Sequence, residues 1–134
     1  MRWVPCRLTH ILVEEQTDSQ VITLAELEGE RRLPIVIGPM EAAAINRAVT
    51  SDHFGRPLTH DLMVQLLEAT GHHCVGIRIV ALLEGTFYAE LVLRDADGTE
   101  IEIDCRPSDA IALQVRLPHV PLVVAEEVFA AHHG

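Results

Sequence analysis

One segment of the chain occurs twice in closely similar form, at residues 33–49 and again at residues 101–117. In each copy an alternating apolar run, typical of a strand, leads to a proline and then to an acid, two alanines and a branched aliphatic residue. The proline suits the first position of a helix, and the acid two residues later faces the positive end of the helix dipole. The copies align as Pro39 with Pro107, Glu41 with Asp109, Ala42 with Ala110, Ala44 with Ala112 and Ile45 with Leu113. The sequence therefore predicts one strand-proline-helix corner that is used twice.

The other apolar patterns place a group of three strands before each corner. Period-two alternation marks these strands, and short polar turns join them. A helix follows each corner, and a further helix begins after Thr59, a good N-cap residue, and stops at Gly71. The predicted strands cover residues 3–14, 20–27, 32–37, 74–83, 87–95, 99–105 and 120–125, and the predicted helices cover 39–49, 60–70, 107–117 and 126–131. We therefore predict an α+β fold over a single domain of residues 1–134, with a largely antiparallel sheet built from two β-meanders and helices packed on it.

The alternation also predicts a register for the second meander. A two-residue first turn would pair Arg78 with Leu91 and mix charge with core on one face. A three-residue loop pairs Leu83 with Phe87 and restores the alternation, and the next three-residue loop has Gly98 at the position that needs a left-handed residue. The predicted core face carries Val75, Ile77, Ile79, Ala81, Phe87, Ala89, Leu91, Leu93, Ile101, Ile103 and Cys105. The predicted polar face carries Arg78, Tyr88, Glu90, Arg94, Glu100, Glu102 and Asp104.

On the polar face this register sets Glu90 directly opposite Asp104. Like charges that face each other across a sheet are destabilising, so a positive group should compensate them. Arg78 or Arg106, which lie diagonally from the pair, could do so. A hard cation bound by both carboxylates would also do so, and oxygen-only ligands suit Mg²⁺ or Mn²⁺. Glu90 and Asp104 are therefore candidate metal ligands, and the alternative is a solvated or subunit-covered face laced with ion pairs.

The second corner has the densest group of side chains that could carry chemistry. Asp104 and Asp109 are candidate catalytic acids or bases, and Arg106 and Ser108 are candidates for binding a substrate phosphate. In α/β folds, sites often form at such carboxyl ends of strands. Glu41 is the matching acid of the first corner, and pseudo-symmetry would bring it to the same cleft as Asp109. The alternative is that both acids only stabilise their helices, by about 0.3–1 kcal/mol each.

The segment RPLTHDL at residues 56–62 is the second candidate locus. His60 suits a general base, because histidine changes its charge near neutral pH, and Asp61 or Asp104 would orient its ring. Asp61 is counted with His60 among the candidate catalytic residues, and Arg56 is a candidate for binding substrate. The alternative is a helix-start histidine that packs against apolar neighbours.

The charge of the chain limits what it can bind. A net charge of −10 argues against tight, sequence-independent binding of nucleic acid, since neutralised phosphates supply most of that affinity. All ten basic residues are arginine, whose planar fork matches phosphate, although a GC-rich genome is an alternative account of the missing lysine. Aromatic residues make up only 4%, so a base-stacking platform is poorly supplied.

Cysteine usage and hydropathy indicate the setting of the protein. Cys6, Cys74 and Cys105 form no disulfide framework and no CxxC metal-binding spacing. No apolar run approaches the roughly 18 residues that span a bilayer, and the N-terminus lacks the apolar region of a signal peptide. These features predict a soluble protein of the reducing cytoplasm that does not contact membranes. The high apolar content predicts a homodimer that buries further surface.

Five sequence blocks, taken together and in order, resemble the bifunctional nuclease domain family. They are GPMEAAAI at 38–45, RPLTHDL at 56–62, GTFYAELVLRD at 85–95, IEIDCRPSDAIAL at 101–113 and PLVVAEEV at 121–128. The resemblance covers nearly the whole chain and implies a nuclease that acts on both RNA and DNA. With the clustered carboxylates and arginines, it leads to a first hypothesis of metal-assisted phosphodiester hydrolysis, with Mg²⁺ or Mn²⁺ as the cofactor. The second hypothesis, which the acidic charge favours, is a non-catalytic homo-oligomeric binding or regulatory protein.

Overall fold

A computed structural model of the chain describes residues 2–13, 19–50 and 55–133. Its strands are β1 (Trp3–Val13), β2 (Gln20–Glu26), β3 (Arg32–Ile37), β4 (His73–Leu83), β5 (Thr86–Arg94), β6 (Glu100–Cys105) and β7 (Leu122–Ala125). Its helices are α1 (Pro39–Val49), α2 (Thr59–Ala69), α3 (Pro107–Arg116) and α4 (Glu126–His133). Each of these elements was predicted, although residue 14, the predicted end of the first strand, lies outside the described residues.

The described strands form one seven-stranded sheet in the order β3-β2-β1-β7-β4-β5-β6. The first three strands are one antiparallel meander, and β4 to β6 are the other. Between the meanders lies β7, which pairs antiparallel with β1 and parallel with β4. The predicted α+β class and the two meanders are therefore confirmed, and β7 is the strand that joins them into one sheet.

The two corners have the same local geometry. The residue before each proline is extended, with φ −80° and ψ 164° at Gly38 and φ −76° and ψ 151° at Arg106, and each helix starts on the proline that follows. Extended backbone is what a residue before proline prefers, so the sequence itself ends the strand and turns the chain. The repeated strand-proline-helix corner is confirmed.

The two corners lie close together in the fold, although they follow opposite edges of the sheet. Strands β3 and β6 are the opposite edges of the sheet, yet α1 and α3, which follow them, pack against each other. Twist changes the direction of the strands from one edge of a sheet to the other, so helices that follow the two edges can converge on one face. Alanines in both helices permit close packing, with Ala110 and Ala112 fully buried and Ala42 nearly so. The fold thereby places two helix N-termini side by side.

The turn of the first hairpin in the second meander differs from the prediction. Leu83 pairs with Thr86, so the turn has two residues, and both of them, Glu84 at φ 51° and Gly85 at φ 80°, adopt the left-handed conformation of a type I′ turn. The predicted three-residue loop was wrong because a register shift between Ile79 and Ala81, not the loop, contains the extra residue. The second hairpin is as predicted, with Asp95 donating its amide to the Thr99 carbonyl at 3.0 Å.

The predicted core face is right at its centre and wrong at its ends. Most of its β4 and β5 residues are buried, but beyond the two register shifts of β4 it is Cys74 and Leu82, rather than Val75 and Ala81, that pack against the core. Ile101 and Ile103 lie on the same face but remain 43% and 41% exposed, because the helices do not extend over the edge strand β6. None of the described helices is long and apolar enough to cross a membrane.

Candidate functional site

Four side chains meet where the two corners approach each other: those of Glu41, His60, Arg106 and Asp109. We call this group the corner cluster. The Arg106 guanidinium donates to both oxygens of Asp109, from Nε at 2.9 Å and from Nη2 at 3.0 Å. Its Nη1 donates to Glu41 Oε1 at 3.0 Å. His60 Nε2 lies 3.1 Å from Asp109 Oδ1. The predicted meeting of the two corner acids in one cleft is therefore present, with an arginine between them.

The local sequence explains why these side chains converge. Glu41 and Asp109 each lie two residues after the proline that starts a helix, so both carboxylates reach back toward a helix N-terminus. Arg106 is the extended residue before α3 and can therefore span from its own helix to α1. His60 is the second residue of α2, whose first turn lies against α3. Each member is set by the start of a helix, where side chains reach past the helix end.

The side chains of the corner cluster range from nearly buried to largely exposed. The side chain of His60 is only 10% exposed, whereas that of Arg106 is 63% exposed. Partial burial alone would raise the pKa of Asp109, but hydrogen bonds from Arg106 and His60 outweigh it, so the pKa lies below its usual value. The hydrogen bonds that Arg106 donates to Asp109 raise the pKa of Arg106. Asp109 therefore stays ionised at neutral pH.

The ionised Asp109 decides which nitrogen of His60 carries the proton. A carboxylate can only accept, so Nε2 must be the donor, and the neutral ring then has its free lone pair on Nδ1. No partner for Nδ1 is found among the described residues. His60 also lines an open groove of about 430 Å³ between α1 and α2, together with Arg106 and Asp109. A histidine with one nitrogen held by a carboxylate and the other unpartnered can accept a proton.

The partner of His60 differs from both predicted ones. Asp61 turns away from the corner cluster, with Oδ1 accepting from Arg116 Nε at 2.7 Å and Oδ2 accepting from the Leu58 amide at 2.8 Å. Asp104 is on the other face of the sheet, because it alternates with Cys105, which packs against the core. The hypothesis that Asp61 or Asp104 orients His60 was wrong, since neighbouring residues on a helix point about 100° apart.

The predicted pairing of Glu90 with Asp104 is present in the ladder of β5 and β6. Arg78 compensates Glu90, with Nη1 at 3.2 Å from its Oε1, and lies 3.8 Å from Glu102. Among the described residues, no three His, Cys, Asp or Glu side chains are grouped closely enough to hold one metal ion. Mg²⁺ is commonly held by one or two carboxylates with water and substrate phosphate completing its shell. With only two carboxylates, Glu90 and Asp104 do not form a closed metal cage within the described part of the chain.

The two remaining candidate residues lie at different distances from the corner cluster. Ser108 is buried in the first turn of α3 and lines a cleft of about 330 Å³ beside Arg106 and Glu41. Arg56 is exposed and precedes α2 by three residues. The fold thus brings Ser108 to the cluster, whereas Arg56 lies at the entry to the helix that carries His60.

Sequence patterns did not single out Arg116. A cation in the last turn of a helix usually complements the helix dipole, and nothing local distinguishes this one. Its side chain is nevertheless only 7% exposed and bonds to residues of three helices. Two of those partners, Ala44 and Asp61, are distant along the chain, so only the folded structure shows the contact.

A second, apolar groove lies between α2 and the strands β5 and β6. It has a volume of about 610 Å³ and ends at Arg106 and Asp109. Its apolar lining includes Met63, Leu66, Phe87, Leu91 and Ile103. The outward side chains of α2, among them Leu62 and Leu66, are about half exposed. This surface therefore places exposed apolar side chains beside the corner cluster.

The sequence is similar to those of several known proteins. A family model described as the bifunctional nuclease domain matches residues 22–133, which include the whole corner cluster. An uncharacterized protein of Mycobacterium tuberculosis is 44% identical over 124 residues, 92% of this chain and 73% of the relative. Bifunctional nuclease 2 of Oryza sativa subsp. japonica is 31% identical over 115 residues, 84% of this chain but 35% of that protein. Bifunctional nuclease 2 of Arabidopsis thaliana is 29% identical over 94 residues, 69% of this chain and 28% of that protein. The chain therefore spans about a third of the length of these plant relatives.

Proposed function

Since the chain belongs to the bifunctional nuclease domain family, we propose that it hydrolyses phosphodiester bonds of RNA and DNA at the corner cluster. The observation that carries the proposal is the contact of His60 with Asp109 at 3.1 Å, beside an exposed guanidinium. A base, a group that orients it and a cation for the phosphate are the parts that such hydrolysis needs. The names of the plant relatives support the same reaction class.

Three members of the corner cluster, His60, Arg106 and Asp109, have a role in this mechanism. His60 Nδ1 takes a proton from a water molecule as the water oxygen bonds to phosphorus, and Asp109 holds the ring and stabilises the imidazolium that forms. The bond from phosphorus to the leaving oxygen breaks, and that oxygen takes a proton from solvent. Within the described part of the chain, Arg106 uses three of its five N–H groups for bonds inside the corner cluster. The other two N–H groups are left to donate to a phosphate oxygen.

Negative charge is the main obstacle to this function, and a divalent cation would reduce it. Arg106 alone does not balance Glu41 and Asp109, and the whole chain carries −10. We propose that Mg²⁺ or Mn²⁺ binds at Glu90 and Asp104 with the substrate, where it would supply positive charge to a phosphate. Asp104 lies two residues before Arg106, roughly 6.6 Å along an extended strand. Because Asp104 points to the face opposite His60, a cation there would neutralise a phosphate next to the one at Arg106 and not the reacting phosphate itself.

Purified protein is expected to cleave labelled RNA and single-stranded DNA, to lose this activity with EDTA and to regain it with Mg²⁺ or Mn²⁺. Asp104→Asn should raise the cation concentration needed for half-maximal rate, because the site loses one of its two carboxylates. Asp97→Asn, in the exposed hairpin loop, is the matched control. Activity that resists EDTA would exclude the cation, and activity that disappears on further purification would remove the nuclease assignment itself.

The apolar groove favours a second candidate function, a homo-oligomeric binding protein. Leu62, Leu66, Ile101 and Ile103 leave an apolar surface next to the groove that a monomer would expose to water. We propose that a second copy covers this surface, whichever of the two functions the chain has.

The unpaired cysteines suit a reducing compartment, and we place the protein in the cytoplasm.

Light scattering should then give about twice the chain mass of 14.8 kDa at micromolar concentration. Leu66→Glu is expected to shift the protein to a monomer, because it places a charge in the proposed apolar contact. Leu27→Glu, at a similarly exposed leucine away from the groove, should leave the mass unchanged. A wild-type monomer would contradict the proposed assembly.

A further inference from the structure

Helix α2 is held in place by few apolar contacts. His60 is the one buried residue of α2, all of whose residues the structure describes, and three of its large apolar side chains face outward. Only Val64 and Leu67 of this helix pack partly against the core. A helix with so little buried apolar surface needs other contacts to fix its rotation about its own axis.

Two polar contacts join the first turn of α2 to α3. His60 bonds to Asp109 at the start of α3, and Asp61 bonds to Arg116 at its end. Asp109 and Arg116 are seven residues apart, so they share one face of α3 and are separated by about 10.5 Å along it. Two adjacent residues of α2 therefore reach toward opposite ends of α3. This arrangement fixes both the position of α2 along α3 and its rotation.

The guanidinium of Arg116 is also held by two backbone carbonyls, independently of Asp61. It donates to the Ala112 carbonyl at 2.8 Å within α3 and to the Ala44 carbonyl of α1 at 3.2 Å. Its side chain is 7% exposed, whereas that of Asp61 is 39% exposed. The arginine is thus a buried anchor and the aspartate its docking partner. A planar fork with several donors suits this use, because it loses little freedom for each bond formed.

We infer that Arg116 is a positioning residue for His60, which acts by holding Asp61 and so fixing the rotation of α2 that brings His60 Nε2 to Asp109. The expected effect of Arg116 on the rate rests on the proposed nuclease function, whereas its expected effect on the hydrogen bond does not. If α2 rotated slightly, the ring of His60 would leave Asp109 while the helix remained folded. A displacement of about 1 Å at a reacting group can lower a rate by roughly 10²-fold.

The test compares Arg116→Met with Asp61→Asn and with Arg94→Met as the matched control. Methionine keeps an unbranched stem without the guanidinium. The Asp61→Asn variant weakens the same pair from its exposed side, which keeps the test informative if the first variant does not fold. Arg94 forms an exposed ion pair with Glu100 on the far hairpin. Circular dichroism establishes that each variant is folded.

Two NMR readouts report the hydrogen bond directly. In both test variants, the ¹⁵N signals of the His60 ring should lose the signature of a hydrogen-bonded Nε2–H. Titration of the side-chain carboxyl ¹³C signal should show that the pKa of Asp109 rises part of the way toward its usual value, because Arg106 still contacts it. Turnover should fall by about 10²-fold with KM close to that of the wild type, since only the reacting geometry changes.

Unchanged ring signals and an unchanged Asp109 pKa in folded variants would overturn the inference, whatever the activity. Loss of the hydrogen-bond signature in a protein that has no nuclease activity would support the positioning role and overturn the proposed function instead. A purely structural role for Arg116 would lower the melting temperature and leave both NMR readouts as in the wild type.

Discussion

Replacement of His60 by glutamine is expected to lower nuclease turnover by about 10²–10⁴-fold, the usual contribution of a general base. Glutamine can still donate a hydrogen bond to Asp109, so the contact that joins α2 to α3 is kept. It cannot take a proton at neutral pH, so the base is lost. The free energy of unfolding should change by about 1 kcal/mol, the scale of one altered hydrogen bond. Single-turnover kinetics on labelled RNA, with urea unfolding in parallel, measures both effects.

Three further variants make the result specific to the pair. His119→Gln changes a histidine in the exposed loop after α3 and should cleave like the wild type. Asp109→Asn should also lower turnover strongly, because the ring loses the carboxylate that orients it. The double variant should be about as slow as the slower single one, since a base and its orienting group act as a unit. Wild-type turnover in His60→Gln, in a preparation that EDTA inhibits, would assign the chemistry to other residues.

Local sequence rules predicted the two strand-proline-helix corners and the hairpin that contains Gly98. Proline, the acid two residues later and the alanines that follow specify the same corner at Pro39 and at Pro107, and both corners form as predicted. The three-residue hairpin with Gly98 was also predicted, because only a residue that tolerates positive φ fits there. The two-residue turn before β5 was not, since an irregularity within β4, and not the turn, contains the extra residue.

The sequence predicted the members of the candidate site better than their partners. His60, Arg106 and Asp109 were each singled out from local patterns, but the choice of Asp61 or Asp104 to orient His60 used closeness in sequence or in predicted register. Their actual arrangement depends on how α1 and α2 pack against α3, which is a property of the whole fold. Arg116 was missed for the same reason, because its importance comes from contacts with distant helices.

Replacement of Arg106 by glutamine is expected to lower kcat/KM by about 10²–10³-fold, the scale for loss of a group that stabilises charge on the reacting centre. The substrate loses its positive contact, and Glu41 and Asp109 are left without the cation between them. Arg106→Lys should recover little, because one ammonium group cannot reproduce the two-point contact with Asp109 together with the bond to Glu41. Steady-state kinetics over a range of salt concentrations measures the loss, with Arg94→Gln as the control.

The same substitution has a consequence for stability that does not depend on catalysis. Asp109 has a pKa below its ordinary value of 3.8, so its contacts stabilise the folded state above that pH, and this stabilisation is lost as the pH falls through the lower folded-state pKa. Without Arg106 that pKa rises, so the variant should be less stable than the wild type at pH 7. The difference should shrink as the pH falls through the folded-state pKa of Asp109, because the carboxylate that Arg106 stabilises is then lost. Urea unfolding at pH 7 and at a series of pH values below 3.8 tests the sign, and a gap that widens on acidification would mean that Arg106 does not hold Asp109 ionised.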